Sequence, residues 1–243
     1  MTKNTDPGFV KNMFGAIAPS YDFLNRLLSL RRDVYWRRKM VKALQIPDNA
    51  RVLDAACGTG DIMIEVLRQK KNAKVAGIDF SPEMLEIAER KAAAAAPQGA
   101  FFLLAADALR PPFAEESFDA VTIAFGIRNI AARQKALEGF LEMLRPGGMA
   151  AVLELATPSG KKMRRLYLLY FTKILPAIGG LFSKNLRAYR YLPASVLGFP
   201  QPAEFAGLMT RAGFEQVKWL RLTGGIATLY TGYKGKRQQR LRI

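Results

Sequence analysis

From residue 51 the chain changes period, and this change constrains the fold more than any other feature. Residues 51–55 read as a short apolar strand. Cys57-Gly58-Thr59-Gly60 reads as a tight turn and 61–69 as a helix. A second strand over 74–78 ends in Asp79. Ser81-Pro82-Glu83 then has the grammar of a helix start: Ser as N-cap, Pro in the first turn and an acid beside the positive end of the dipole. That helix runs to about 95, where the Ala92–Ala96 run meets Pro97. Strands follow at 100–105 and 118–124, then a helix over 131–144 closed by Pro146-Gly147-Gly148, and a fifth strand over 149–155. Strand and helix alternating at this spacing predict an α/β chain with a parallel sheet covered on both faces.

The flanks read differently. Residues 9–44 alternate apolar and basic side chains at helical spacing and predict two or three short helices, broken near Pro19 and around 29–32. Residues 157–200 are helical, basic and aromatic. A helix over 201–212 and strands over 214–222 and 226–233, joined by a hairpin-type turn at Thr223-Gly224-Gly225, close the chain before a basic tail at 235–243. The expected organisation is one domain: helical cover at 9–47, cofactor core at 51–155, insert at 157–200, closing elements at 201–234.

Two absences limit the chemistry. The 243 residues contain no His, which excludes imidazole general bases and His-ligated metals, and one Cys, which excludes an internal disulfide or a Cys-cluster zinc site. No metal is expected. The net charge is +17, and it is concentrated outside the core. Residues 51–154 hold 12 Lys/Arg against 14 Asp/Glu, while no acid occurs between Glu154 and Glu204. Such an imbalance points to an anionic neighbour, a membrane surface or a nucleic acid. The opening residues lack an apolar signal segment, and no window is long and apolar enough to span a membrane. The expected location is therefore the cytoplasm, peripherally on the inner face of the cytoplasmic membrane. Residues 166–182, interrupted by Lys173, Pro176 and Gly179-Gly180, form the apolar stretch that would lie on it.

Acids recur where strands end: Asp54, Asp79 and Asp107. In a doubly wound sheet that edge is where ligands bind. Gly58 and Gly60 allow close backbone approach, and the helix they open presents amides to an anionic group. Met63 stands where Gly-x-Gly-x-x-Gly requires its last glycine, and no Gly-Lys-Ser/Thr follows, so neither phosphate-cradling motif is present. Asp79, 19 residues after Gly60, suits ribose hydroxyls, and Asp107-Ala108 suits an exocyclic amine. Together they describe a pocket for a nucleoside bearing a carboxylate, a description that fits S-adenosylmethionine.

Three further blocks carry a closer likeness. Residues 14–29 read Phe-Gly-Ala-Ile-Ala-Pro-Ser-Tyr-Asp-Phe-Leu-Asn-Arg-Leu-Leu-Ser, followed by Trp36-Arg37-Arg38. Residues 122–130 read Thr-Ile-Ala-Phe-Gly-Ile-Arg-Asn-Ile, and 189–200 read Tyr-Arg-Tyr-Leu-Pro-Ala-Ser-Val-Leu-Gly-Phe-Pro. On these blocks the chain, over roughly 10–234, resembles the ubiquinone/menaquinone biosynthesis C-methyltransferases, the demethylmenaquinone methyltransferase branch in particular. The resemblance implies a class I methyltransferase Rossmann-like sheet of seven strands, the last antiparallel. It implies methyl transfer from S-adenosylmethionine to a ring carbon of a polyprenylated naphthoquinol, with the methoxylated benzoquinol precursor of ubiquinone as the alternative. It carries cofactor contacts onto Thr59, Asp79, Asp107 and Ala108. The family's usual Ser and His are replaced here by Ala124 and Tyr230.

For such a reaction Arg128 is the candidate cation favouring a phenolate. Asn129 is the candidate orienter of a ring oxygen or water, and Tyr21 and Asp22 are candidate proton acceptors. Tyr167, Leu168, Leu169, Tyr170, Phe171, Ile174 and Leu175 are the expected lipid-facing side chains. The competing readings are an RNA-binding protein or RNA methyltransferase, which the charge favours but which lacks an Asn/Asp-Pro-Pro-Tyr/Phe motif, and a non-catalytic quinone-binding scaffold. No nucleic-acid partner is expected, and the oligomeric state stays open.

Overall fold

A computed structural model describes residues 7–170 and 186–236. Phe171, Ile174 and Leu175 of the expected lipid-facing set, with Lys173 and most of the tail, lie outside them. Seven strands form one sheet: β1 (Arg51–Ala55), β2 (Lys74–Asp79), β3 (Phe101–Ala105), β4 (Phe118–Ala124), β5 (Leu144–Leu155), β6 (Glu215–Leu222) and β7 (Ala227–Tyr233). Their order is β3-β2-β1-β4-β5-β7-β6. The first five are parallel, and β7 runs antiparallel to both neighbours, β5 and β6. This is the expected class I methyltransferase sheet. The order reverses between β1 and β4, so a crevice opens at their C-terminal ends.

Helices cover both faces. Met40, Trp36, Met63 and Val66, from α2 (Arg32–Ala43) and α3 (Asp61–Gln69), pack with Val52 and Leu153 on one side. Ala92 of α4 (Pro82–Ala95) joins that layer. Phe140 of α5 (Arg133–Met143) and Phe205 of the helix Pro202–Arg211 pack with Ile123 and Tyr230 on the other. A third cluster stands over the sheet's C-terminal edge. It joins Val10, Met13 and Leu24 of α1 (Pro7–Leu28) to Tyr167 of α6 (Lys161–Leu169) and to Tyr191 and Val196 of α7 (Leu186–Leu197). The cover and the insert therefore form one lid.

The expected start of α4 is present: Ser81 Oγ accepts from the Met84 amide at 3.4 Å, Pro82 opens the helix, and Glu83 lies in its first turn. Two expectations need correction. Pro19 does not break the first helix; α1 runs 22 residues through it. Pro19 removes one backbone bond, but it is exposed, and burial of Val10, Met13, Ala18 and Leu24 on both sides of it holds the helix together. The break around 29–32 is present, with Leu30 and Arg31 at positive φ. The fifth strand begins at Leu144, not 149, because residues after Leu144 bulge between the pairs Phe118–Leu144 and Ala120–Met149. Gly147, at φ +80°, supplies the backbone such a bulge requires and donates its amide to Lys234.

Candidate active site

The glycine turn sits at the C-terminal end of β1. Gly58 has φ +54°, and a side chain there would meet nothing within 4 Å, so the backbone faces open space. Gly60, at φ +78°, caps α3, and a Cβ there would stand 3.1 Å from Ala88 and Met63. Asp79 holds the turn in place: one oxygen accepts from the Gly58 amide at 2.8 Å, the other from Ser81 at 3.0 Å. Burial pushes the Asp79 carboxyl up, against these amides. Asp54 is buried. Thr122 donates to one of its oxygens at 2.8 Å, and the other oxygen has no partner among the described residues. Burial lifts its pKa to about 7, with Thr122 working against the shift. Burial likewise drives the Cys57 thiol well up, so it is no nucleophile at neutral pH. Asp107 lies two residues beyond β3, exposed, and accepts from the Leu109 amide at 2.9 Å; Ala108 beside it is buried. The orphaned Asp54 oxygen, the open Gly58 backbone and the acid after β2 suit a polar nucleoside with a cationic centre.

Thr59 faces the cover. Its hydroxyl donates to Asp22 Oδ1 at 2.6 Å, and Lys91 Nζ reaches Asp22 Oδ2 at 2.5 Å and Asp61 at 2.6 Å. Asp22 is therefore committed to the glycine turn, while Tyr21, one residue earlier, lines a different space.

That space is an apolar cavity of 390 Å³ between α1, α2, α6 and α7, walled by Met13, Ile17, Leu24, Phe125, Tyr167 and Ile226 among others. Leu30, Met163 and Leu166 line it and are also exposed, as is neighbouring Leu169. Its polar lining includes Tyr21, Asn25, Asp33, Arg37 and Arg128, with Ser29, Arg32 and Thr223. Burial raises the Tyr21 phenol, and the charges of Arg128 and Arg37 pull it back. Trp36 packs its ring 6.1 Å from Phe125 and anchors its indole N–H on Thr223 at 2.8 Å.

Arg128 sits in a 3-10 turn, Ile127–Asn129, just past β4. It is buried and bound to Glu154 of β5, Nη1 to Oε1 at 2.8 Å, and it also donates to the Phe125 carbonyl. Glu154 further accepts from the Arg128 amide at 3.1 Å and the Leu155 amide at 2.8 Å. Burial opposes the Arg128 charge, and Glu154 restores it. Arg128 Nε has no partner among the described residues. Asn129 accepts from the Tyr191 hydroxyl at 2.9 Å and so ties the turn to α7. Gly126 lets this turn approach β1: a Cβ there would stand 3.0 Å from that of Ala56.

Sequence reasoning brought Tyr21 and Arg128 to one cavity and Asp54, Gly58, Thr59, Gly60 and Asp79 to one turn. It missed Arg37, whose guanidinium is the second cation beside Tyr21, and Glu154, the partner of Arg128. The Trp36-Arg37-Arg38 block was the available signal for the first. Tyr230, at the position where the family usually has His, is buried against Phe205 at 4.7 Å between ring centres and does not line the cavity.

Comparison with known proteins gives consistent results. Residues 1–234 match the model of the ubiE/COQ5 methyltransferase family. The chain is 46% identical over 236 residues to the ubiquinone/menaquinone biosynthesis C-methyltransferase UbiE of Geotalea daltonii, covering 96% of this chain and 100% of that one. It is 46% identical over 220 residues to the demethylmenaquinone methyltransferase of Thermus thermophilus, covering 90% and 99%. Among solved structures, an S-adenosylmethionine-dependent methyltransferase from Thermotoga maritima superposes with a TM-score of 0.64 at 21% identity, covering 92% of this chain and 99% of that one. At that identity the likeness is one of fold.

Proposed function

The chain belongs to the ubiE/COQ5 methyltransferase family, and from that premise we propose that it methylates a ring carbon of demethylmenaquinol, with S-adenosylmethionine as methyl donor. Its relatives carry the names of quinone-biosynthesis C-methyltransferases. The observation that carries the substrate reading is the apolar cavity. It is lined by Tyr21 of the residue pair whose other member, Asp22, binds the glycine turn, and it ends in exposed leucines suited to an isoprenoid tail. In this reading the chain works as one domain, with 9–47 as cover and 157–200 as the membrane-facing insert.

S-adenosylmethionine supplies an electrophilic methyl group. Asp54, Gly58, Thr59, Gly60, Asp79, Asp107 and Ala108 would hold it. The remaining chemistry falls to the cavity. A quinol ring carbon becomes nucleophilic as the adjacent hydroxyl gives its proton to water or to the Tyr21–Asp22 pair; once it holds the methyl group it sheds its own proton, and the thioether S-adenosylhomocysteine would leave. Arg37 and Arg128, whose charges already favour an ionised Tyr21 phenol, would favour an ionised ring oxygen in the same way. Asn129 acts through Tyr191 as a positioning residue for the Arg128 turn, and the aromatic walls exclude water.

Membrane docking fits the same arrangement. The exposed apolar rim of Leu30 and Leu166, with neighbouring Leu169, adjoins Arg31, Arg32, Arg164 and Arg165 in the chain, which suit anionic headgroups. No described helix is long and apolar enough to cross a membrane.

The test is incubation with methyl-labelled S-adenosylmethionine and each reduced quinol, naphthalene and methoxybenzene, in detergent. Label in the naphthoquinol product supports the proposal, label only in the benzoquinol product reassigns the substrate, and label in neither refutes it. Flotation with anionic vesicles tests docking; protein that stays at the bottom at low salt refutes it.

A further inference from the structure

A second pocket, of 330 Å³, opens between the C-terminal half of α1 and helices α2, α3 and α4, on the outer side of the lid. Its walls carry five cations: Arg26, Arg37, Arg38, Arg68 and Lys91. Two acids, Asp61 and Glu65, line it with them, and two more reach the same cations from outside it: Asp33 pairs with Arg37 and Asp22 with Lys91, each at 2.5 Å. Asp61 is close to Lys91, at 2.6 Å, and stands 3.5 Å from Arg37 and 3.6 Å from Arg26. Glu65 lies 3.9 Å from Arg38 and spends the same oxygen on Gln69 at 2.7 Å. Arg68 forms no ion pair among the described residues and is exposed. Five cations against four acids leave one positive charge in excess, and the guanidinium forks of Arg26, Arg38 and Arg68 have no ion pair shorter than 3.6 Å among the described residues. Ala94 and Ala95, from the Ala-rich end of α4, leave the floor bare of large side chains.

We infer that this pocket binds a phosphate group. Several guanidinium forks converging on one concavity match a tetrahedral oxyanion, which accepts several charge-assisted hydrogen bonds at once. A singly charged phosphate group balances the excess of one, and its oxygens accept from the three forks that no carboxylate holds closely. Two sources share this chemistry: a phospholipid headgroup and a free phosphate. Phe23 and Leu27 are exposed on the same stretch of α1 that contributes Arg26, and Leu30 just beyond its end, so acyl chains would find an apolar surface beside the pocket. Arg37 lines both this pocket and the apolar cavity, so an anion here would share a cation with that cavity. The inference stands on the pocket's own charges and does not rest on methyl transfer.

The test compares the full chain with R38E/R68E, two exposed positions outside the proposed catalytic groups, and with R110E/K135E. The latter makes the same change in net charge on exposed residues elsewhere. Inorganic phosphate is titrated by calorimetry at fixed ionic strength. Cosedimentation is measured with vesicles of phosphatidylglycerol in phosphatidylcholine, with and without free phosphate as competitor. The expected result is at least ten-fold weaker phosphate binding in R38E/R68E, with R110E/K135E within two-fold of the unsubstituted chain. Vesicle binding lost in R38E/R68E alone and relieved by phosphate assigns the headgroup; phosphate binding with no vesicle difference assigns the free ion. Equal losses in both variants, or none in either, overturn the site. Circular dichroism and methyl transfer to a short-tailed quinol in detergent, both expected to be unchanged in R38E/R68E, separate this failure from misfolding and from failure of the methyltransferase reading.

Discussion

Replacing Glu154 by Gln removes a single charge at the end of β5, beneath the lid. Glu154 is fully buried and Arg128 nearly so, with 2.8 Å between Oε1 and Nη1. Glutamine keeps one oxygen, enough for the Leu155 amide that Oε1 now serves at 2.8 Å, but turns an NH2 toward the Arg128 amide that Oε2 serves at 3.1 Å, so one backbone bond goes with the charge. What disappears is the compensation for a buried guanidinium. Removing one partner of a buried pair costs about 3–5 kcal/mol, because the other charge is left uncompensated in a low dielectric. Against a total stability of about 5–15 kcal/mol for a natural domain, that loss is visible in any denaturant titration. Glu154→Gln should therefore lower the midpoint of urea unfolding by that free energy, with an unchanged slope. Arg128→Met should cost a similar amount, because it leaves the buried Glu154 carboxylate without its cation. The double variant should regain most of the loss, giving a coupling of at least ~2 kcal/mol. Two single changes that each cost less than ~1 kcal/mol and simply add would show that the pair contributes nothing, and the account of Arg128 as a cation held by Glu154 would fall with it.

Three further outcomes follow from the same geometry. Asp54 binds its proton more tightly folded than unfolded, its pKa being raised from 3.8 to about 7 by burial. Its contribution is therefore complete below about pH 4 and is lost as pH rises through about 7, at most on the order of 4 kcal/mol. Asp54→Asn should flatten unfolding free energy against pH across that window, and an unchanged profile refutes the shift. Pro19→Ala should restore a backbone bond within α1 and raise stability by about 1–3 kcal/mol, read from the thermal midpoint; destabilisation would mean the proline ring is itself packed. Gly60→Ala forces a side chain into a φ of +78° with neighbours at 3.1 Å, and should cost about 1–2 kcal/mol while weakening S-adenosylmethionine binding in calorimetry. Unchanged affinity would show that the turn tolerates a side chain.

Much of the architecture could be read because local chemistry and tertiary demand agree in the core. The strands at 51–55 and 118–124 are apolar because both sheet faces are covered, and Ser81-Pro82 starts a helix whatever surrounds it. Pro19 misled because local propensity lost to burial on either side. The bulge after Leu144 was invisible because it depends on the register between β4 and β5. The site divided in the same way. The glycine turn and its acids are contiguous or regularly spaced, and they emerged from the residue order. Glu154 stands 26 residues after Arg128, at the end of a neighbouring strand, and only the parallel pairing brings them together. Asp22 looked like a free acceptor because nothing in its neighbourhood announces Thr59, 37 residues away, or Lys91, 69 residues away. Arg37 was one basic residue among many until folding buried it.

Tyr21 and Asp22 are consecutive in one helix, yet they look into separate chambers: the phenol toward the oily cavity, the carboxylate toward the bend after β1. A rigid helical turn cannot shift for one tenant without disturbing the other. Whatever each occupant does to its neighbour's affinity must then be returned in equal measure, as thermodynamic reciprocity requires. The two ligands of this protein should arrive and depart as correspondents rather than strangers.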